Sequence, residues 1–172
     1  EEKELSIAVF STGVDDDNAL LPDGTIDPHW RLTQSSDDQW KGPESYTVRS
    51  EKAPIPPWSE QKPDSESKWI TPRADSVDVS PGRYVYEQTF RIDERMDADT
   101  ASVFGRIMSD DIVERIEING VKTGAAASFA KWLDLLIIEH LVVGENTLRV
   151  VVRNSGENIN PHGLRGELNG WV

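Results

Sequence analysis

Three groups of residues in this chain carry side chains suited to chemistry. The first is the run Asp15-Asp16-Asp17-Asn18 with Asp23 and Asp27, hard oxygen donors of the kind that hold Ca²⁺. Asp15, Asp17, Asn18 and Asp23 are the candidate ligands, and a cation held there would order the proline-rich first half. The spacing lacks the glycine and the bidentate glutamate that an EF-hand loop places at fixed positions. A solvated turn uses the same residues, because Asp and Asn tolerate turn geometry.

The second group is aromatic: Trp30, Trp40, Trp58, Trp69, Trp132 and Trp171. An exposed indole stacks on the apolar face of a pyranose while a few polar groups fix its hydroxyls. Trp30 and Trp69 sit inside strand-like patterns and read as core. Trp40, between Gln39 and Lys41, and Trp58, between Pro57 and Ser59, are the candidates for an exposed platform. Arg73 and Arg165 are the candidate grips for hydroxyls or a uronate, since a guanidinium binds vicinal oxygens bidentately. A formal charge of −13 favours neutral sugars over uronic or sulfated polymers unless a local arginine patch outweighs the field.

The third group is the loop Asn154 to Arg165, with Asn158, Asn160, His162 and Arg165 close together. An arginine placed there grips a ligand or pairs with one of many acidic neighbours. His29, His140 and His162 show neither HxH nor HExxH spacing, so a zinc site would need distant loops. A glycosidase pair such as Asp110 and Glu114 can be nominated, yet with 31 acidic residues some such pair exists in any case. The chain has no GxSxG elbow, no phosphate-cradling glycine loop and no cysteine, so a non-catalytic domain is expected.

The elements that position these groups follow from periodicity. In SDDIVERIEINGVKTG, Ser109 to Gly124, Ile112, Ile116 and Ile118 read as one face and Val113, Arg115 and Glu117 as the other. Asn119-Gly120 supplies the positive-φ pair of a tight hairpin. In GENTLRVVVRNSG, Gly144 to Gly156, Leu148, Val150 and Val152 oppose Arg149 and Arg153. These two stretches read as paired strands. Tyr84, Tyr86, Phe90 and Ile92 line the core face of a long strand from Gly82, with Val85, Thr89 and Arg91 opposite.

Further strands are expected at Leu5 to Phe10, Trp30 to Ser35, Tyr46 to Ser50, Ala101 to Met108 (with Ile112 to Asn119 as its following neighbour) and Leu133 to Ile138. Thr147 to Asn154 reads as central, Gly163 to Leu168 as the closing strand, and Glu139 to Gly144 as one helical turn. Nine of the ten prolines fall at or before Pro81, so the first half is expected to be loop-rich, with Ala53 to Trp58 polyproline-like.

Composition bounds the setting. At 172 residues the chain suits a single domain, 1–172. With 18 basic against 31 acidic residues it lacks the cationic footprint that nucleic acid or an anionic membrane demands. The longest apolar run, Leu133 to Ile138, is far too short to span a bilayer, and membrane insertion is not expected. The chain begins at Glu1 without a signal peptide, as a processed or excised chain would.

The succession TGVDDDNALLPDG, DPHW, APIPPW, SKWITP, PGRYVYEQTF, SDDIVERIEINGVKTG, GENTLRVVVRN and NPHGLRGEL resembles a galactose-binding-like (jelly-roll) β-sandwich domain. This domain recurs in secreted and surface-anchored proteins of planctomycete-like bacteria. The likeness runs from Phe10 to Leu168, with residues 125 to 143 fitting least. It implies an all-β, two-sheet antiparallel sandwich with long Pro-rich loops in its N-terminal half, non-catalytic and extracytoplasmic. The function expected on these grounds is a carbohydrate-binding module whose partner is a glycan or a surface protein. The alternative is a structural or adhesive spacer of a larger surface protein.

Overall fold

The computed structural model describes residues 7–50, 58, 62–123 and 131–172. Among these residues the chain is all-β. Its strands are β1 (Ile26–Ser35), β2 (Glu44–Thr47), β3 (Ile70–Thr71), β4 (Asp78–Val79), β5 (Gly82–Ile92), β6 (Ser102–Asp110), β7 (Ile112–Ile118), β8 (Val121–Lys122), β9 (Leu133–Ile137), β10 (Gly144–Asn154), β11 (Asn160–Pro161) and β12 (Gly163–Trp171). Ten of them form one sheet in the order β8-β7-β10-β5-β1-β2-β3-β12-β6-β9, while β4 and β11 pair separately. Every strand pair is antiparallel.

One sheet can bury so much apolar surface only by curling, and it does. A single cluster joins Tyr84, Tyr86, Ile116, Ile118, Leu148 and Val150 from one half to Val103, Ile107, Leu135, Ile137, Leu164 and Leu168 from the other. Each such side chain, once fully buried, contributes about 1.5–3 kcal/mol relative to exposure. The result is a curled half-barrel whose two halves face each other across one core, an arrangement consistent with a β-sandwich.

The longest ladder joins two strands that alternation marks out, and the expected β7–β10 pair forms beside it. β5 and β10 pair without a break from Gly82↔Asn154 to Ile92↔Gly144, with Tyr84, Tyr86, Phe90, Leu148, Val150 and Val152 buried. Gln88 interrupts this apolar face but is satisfied: its Oε1 accepts from the Phe10 N–H at 2.8 Å and its Nε2 donates to the Phe10 carbonyl at 2.9 Å. Asn119 and Gly120 adopt φ of 51° and 82° and close the β7–β8 hairpin, as the Asn-Gly pair predicts.

Several expectations are corrected. Ile112 is 44% exposed and Val113 is fully buried. The cause is a bulge: Val151 pairs with Arg115 but Val152 pairs with Val113, which leaves Glu114 as an extra residue and reverses the phase before it. β7 lies beside β10 and β8, not beside β6, because the chain turns at Asp110-Asp111 from one half of the curl to the other. β12 is an interior strand between β3 and β6, so it does not close the sheet.

Of Leu5 to Phe10, the described part, 7–10, carries no strand; the Phe10 amide takes a side-chain partner instead of a ladder. Glu139 to Gly144 holds no helical turn. Asn146 ties that loop down, accepting from the Val142 N–H and donating to its carbonyl. The helical turn that does occur among the described residues is a 3-10 turn at Ala98–Thr100, capped by Asp97. Ala53 to Pro57 lie outside the described residues.

Candidate functional site

The outward residues of β1, β5, β10, β7 and β8 form cross-strand rows, and the rows build a groove. Register places Arg31 opposite Glu87, Glu87 opposite Arg149, Arg149 opposite Glu117 and Glu117 opposite Lys122. Charge therefore alternates along the row, the arrangement that cross-strand pairing favours. Arg149 reaches Glu87 at 3.0 Å and Glu117 at 3.8 Å. The next row is Gln34, Val85, Val151 and Arg115. Beyond it Arg83 faces Arg153, and Glu114 separates their charges at 2.8 and 3.5 Å.

The groove holds about 540 Å³ and is lined by Thr33, Gln34, Arg83, Val85, Glu114, Arg115, Lys122, Arg149 and Val151. Two pairs in this lining, Thr33-Gln34 and Glu114-Arg115, are consecutive in sequence. In a regular strand neighbours point to opposite faces, so both members of a pair reach one groove only where the ladder slips. It slips at both places, between Leu32 and Gln34 of β1 and opposite Val151 and Val152 in β7. Bulges commonly re-aim side chains in this way beside functional sites. Val85 and Val151 form the floor, 7% and 4% exposed, shielded on a solvent face by the long side chains around them.

The walls are rich in donors. Among the described residues Arg83 donates through Nε alone, to Glu114, and Arg149 through Nε and Nη2, both to the same oxygen of Glu87. Arg115 comes no nearer than 3.7 Å to its carboxylate, Glu117, and Lys122 has no ion-pair partner among the described residues. Glu117 Oε2 is enclosed without a hydrogen-bond donor.

None of the four residues expected to bind ligand lines this groove. Trp40 and Arg73 do come together: the guanidinium lies 5.0 Å from the indole centroid, and Asp75 holds it at 3.0 Å. One face of Trp40 thus carries a cation, and the ring is half-buried. Trp58 and Arg165 are not exposed, at 5% and 4%. Trp58 stacks on Trp69 with centroids 4.2 Å apart and donates its indole N–H to Asp110 at 2.8 Å. Arg165 donates to Ser67 at 2.7 Å and lies 5.3 Å from the Trp132 ring. Both are packing residues, because a second aromatic cluster of Trp58, Trp69, Val48 and Met108 forms outside the main core.

Part of the acidic loop's oxygen goes to its own turn and to neighbouring groups, while Asp17 stays exposed. Asp15 Oδ1 accepts from the Asp17 and Ala19 amides, Asn18 takes a φ of 62°, and Asp16 pairs with His29. Asp23 turns away to Ser50 and Lys68. Burial raises its carboxyl, but the Lys68 and Ser50 bonds outweigh that and hold it below the usual range. Asp27 is buried, accepts from the Gly13, His29 and Trp30 amides, and burial raises it. Among the described residues no group of three or more His, Cys, Asp or Glu is placed to hold a metal ion.

His162 belongs to a buried knot. It is fully enclosed, stacks on Tyr84, meets Tyr86 Oη through Nε2 at 2.8 Å and the Asp110 carbonyl through Nδ1 at 2.7 Å. The carbonyl can only accept, so Nδ1 carries the proton and Nε2 accepts from the tyrosine. Burial pushes this neutral imidazole down to about 4. Burial and the Asp111 carboxyl push Asp110 up to about 7, against the Trp58 indole.

No family model matches this chain, and no curated protein matches it.

Proposed function

We propose that this chain is a non-catalytic, extracytoplasmic binding module on a galactose-binding-like β-sandwich, and that its ligand is a saccharide held in the sheet-face groove. The observation that carries the reading is the groove itself: an apolar strip of two valines bordered by amide, hydroxyl, guanidinium and carboxylate groups. A pyranose needs a small apolar surface for its ring and convergent polar groups for its hydroxyls. The likeness of the strand succession to surface-protein domains supports the same reading. Single-site affinity is weak, because an open groove buries little area against the cost of immobilising a flexible sugar.

The test is affinity electrophoresis of the chain through gels containing a panel of neutral and acidic polysaccharides. At least one polymer is expected to retard it. Gln34→Ala and Arg149→Ala should abolish the retardation with little change in melting temperature, whereas Trp40→Ala should preserve it. Retardation insensitive to both groove substitutions, or absent throughout the panel, overturns the reading.

A specific observation favours the alternative, a protein-contacting spacer. On the outer face of the opposite half, Phe104 pairs with Leu136, and Leu136, Ile138 and Trp171 are 63%, 57% and 67% exposed. Leu136 and Ile138 lie on or beside β9, an end strand of the sheet, and Trp171 ends β12 two strands in; such apolar surface suits a protein neighbour. A chain that no polysaccharide retards, but that sediments as a dimer until Leu136 is replaced by Lys, would place function there.

A further inference from the structure

Building on the reading of the groove as a saccharide site, we infer that it selects a carboxylated sugar, a uronate, whose acid group sits at the β7–β8 end between Arg115 and Lys122. The chain carries a formal charge of −13, yet four cations and one carboxylate line this groove. Even with Glu87 and Glu117 beside them, the cations prevail locally. The long-range field disfavours polyanions in general, but it is screened within about 8–10 Å at ordinary ionic strength. The groove's own charges therefore decide what binds in it.

Donor supply points the same way. Among the described residues, Arg115 holds the loosest ion pair of the lining and Lys122 holds none. They stand on adjacent strands in diagonal register, since Lys122 opposes Glu117 and Arg115 lies two residues before it. Long side chains in that relation reach a common point. A carboxylate there accepts from the guanidinium fork and the ammonium together, and the planar fork matches a carboxylate better than a tetrahedral sulfate. The β1 end offers Thr33 and Gln34, which carry no charge and suit hydroxyls. The valine floor between the two ends takes the ring.

The experiment measures retardation by polygalacturonate, by its fully methyl-esterified form and by a sulfated galactan. Polygalacturonate is expected to retard the chain at ordinary ionic strength, where the long-range field is screened, and the ester hardly at all. Lys122→Ala and Arg115→Ala should each weaken retention about tenfold, the loss of one charge-assisted hydrogen bond. Both side chains are exposed, and an unchanged melting temperature confirms that the variants are folded. Equal retention of the ester, abolished by Gln34→Ala, would overturn the carboxylate assignment and leave the saccharide site standing. Stronger retention of the sulfated galactan would also overturn it. No retention by these three polymers would overturn the carboxylate assignment, and none throughout the wider panel of neutral and acidic polysaccharides would overturn both.

Discussion

Asp110 and His162 carry opposite pH liabilities in one buried knot. Asp110 keeps its proton in the fold up to about 7, against 3.8 for an ordinary aspartate, so alone it removes stability as pH rises through that window. His162 stays neutral in the fold down to about 4, against an ordinary 6.5, so alone it removes stability as pH falls from 6.5 to 4. Between those values folded and unfolded states each hold one of the two protons, and the slopes offset. The other titratable groups of the knot are Asp111, Tyr84 and Tyr86, and burial moves both tyrosines further from the acid range. Asp110→Asn keeps an acceptor for Trp58 and leaves the histidine alone. Its urea midpoint should fall as pH drops from 6.5 to 4 while the parent changes little; parallel profiles would refute the offset. Nearby, Trp58→Ala should cost about 3–5 kcal/mol in urea unfolding, and Trp40→Ala markedly less, because only the first indole is buried.

In the β6–β12 ladder, Gly105 of β6 pairs with Leu168 of β12. Its φ is 154°, and a Cβ placed there would lie 1.8 Å from the Glu167 carbonyl oxygen, so one of two backbones must move. Gly105→Ala should destabilise the fold by about 1–3 kcal/mol. Amide exchange should quicken first in β6 and β12 while β5 and β10 stay protected; uniform acceleration across the sheet would contradict this. The strands differ in how readable they are. β5 and β10 announce themselves through unbroken alternation, and the β7–β8 hairpin through Asn119-Gly120. The bulges in β1 and β7 leave no mark in the sequence, since Thr33, Gln34, Glu114 and Arg115 are ordinary strand residues until a partner's register makes one of each pair supernumerary. That is why Ile112 reads as core and why the groove went unseen, though Arg149 and Arg153 opposite a run of valines were its visible trace. Trp58 misleads for a related reason: prolines around it signal a loop, but a loop residue can still be swallowed by a neighbouring cluster.

At the scale of the whole molecule, the chain's own order of residues determined the all-β class, the pairing of β7 with β10, the tight turn and most of the core, because each rests on local periodicity and turn chemistry. Composition likewise determined the strongly acidic average. Only the tertiary structure decided that the two halves are joined through β1, β2 and β3 into one curled sheet, since which edges pair depends on contacts distant in the chain. Only it decided that cations gather on a groove in an acidic chain, because Gln34, Arg83, Arg115, Lys122 and Arg149 come from five strands and share a face through register alone. And only it turned Trp58 and Arg165 inward to structural work, since a side chain's partners are set by what packs against it rather than by its neighbours in the chain.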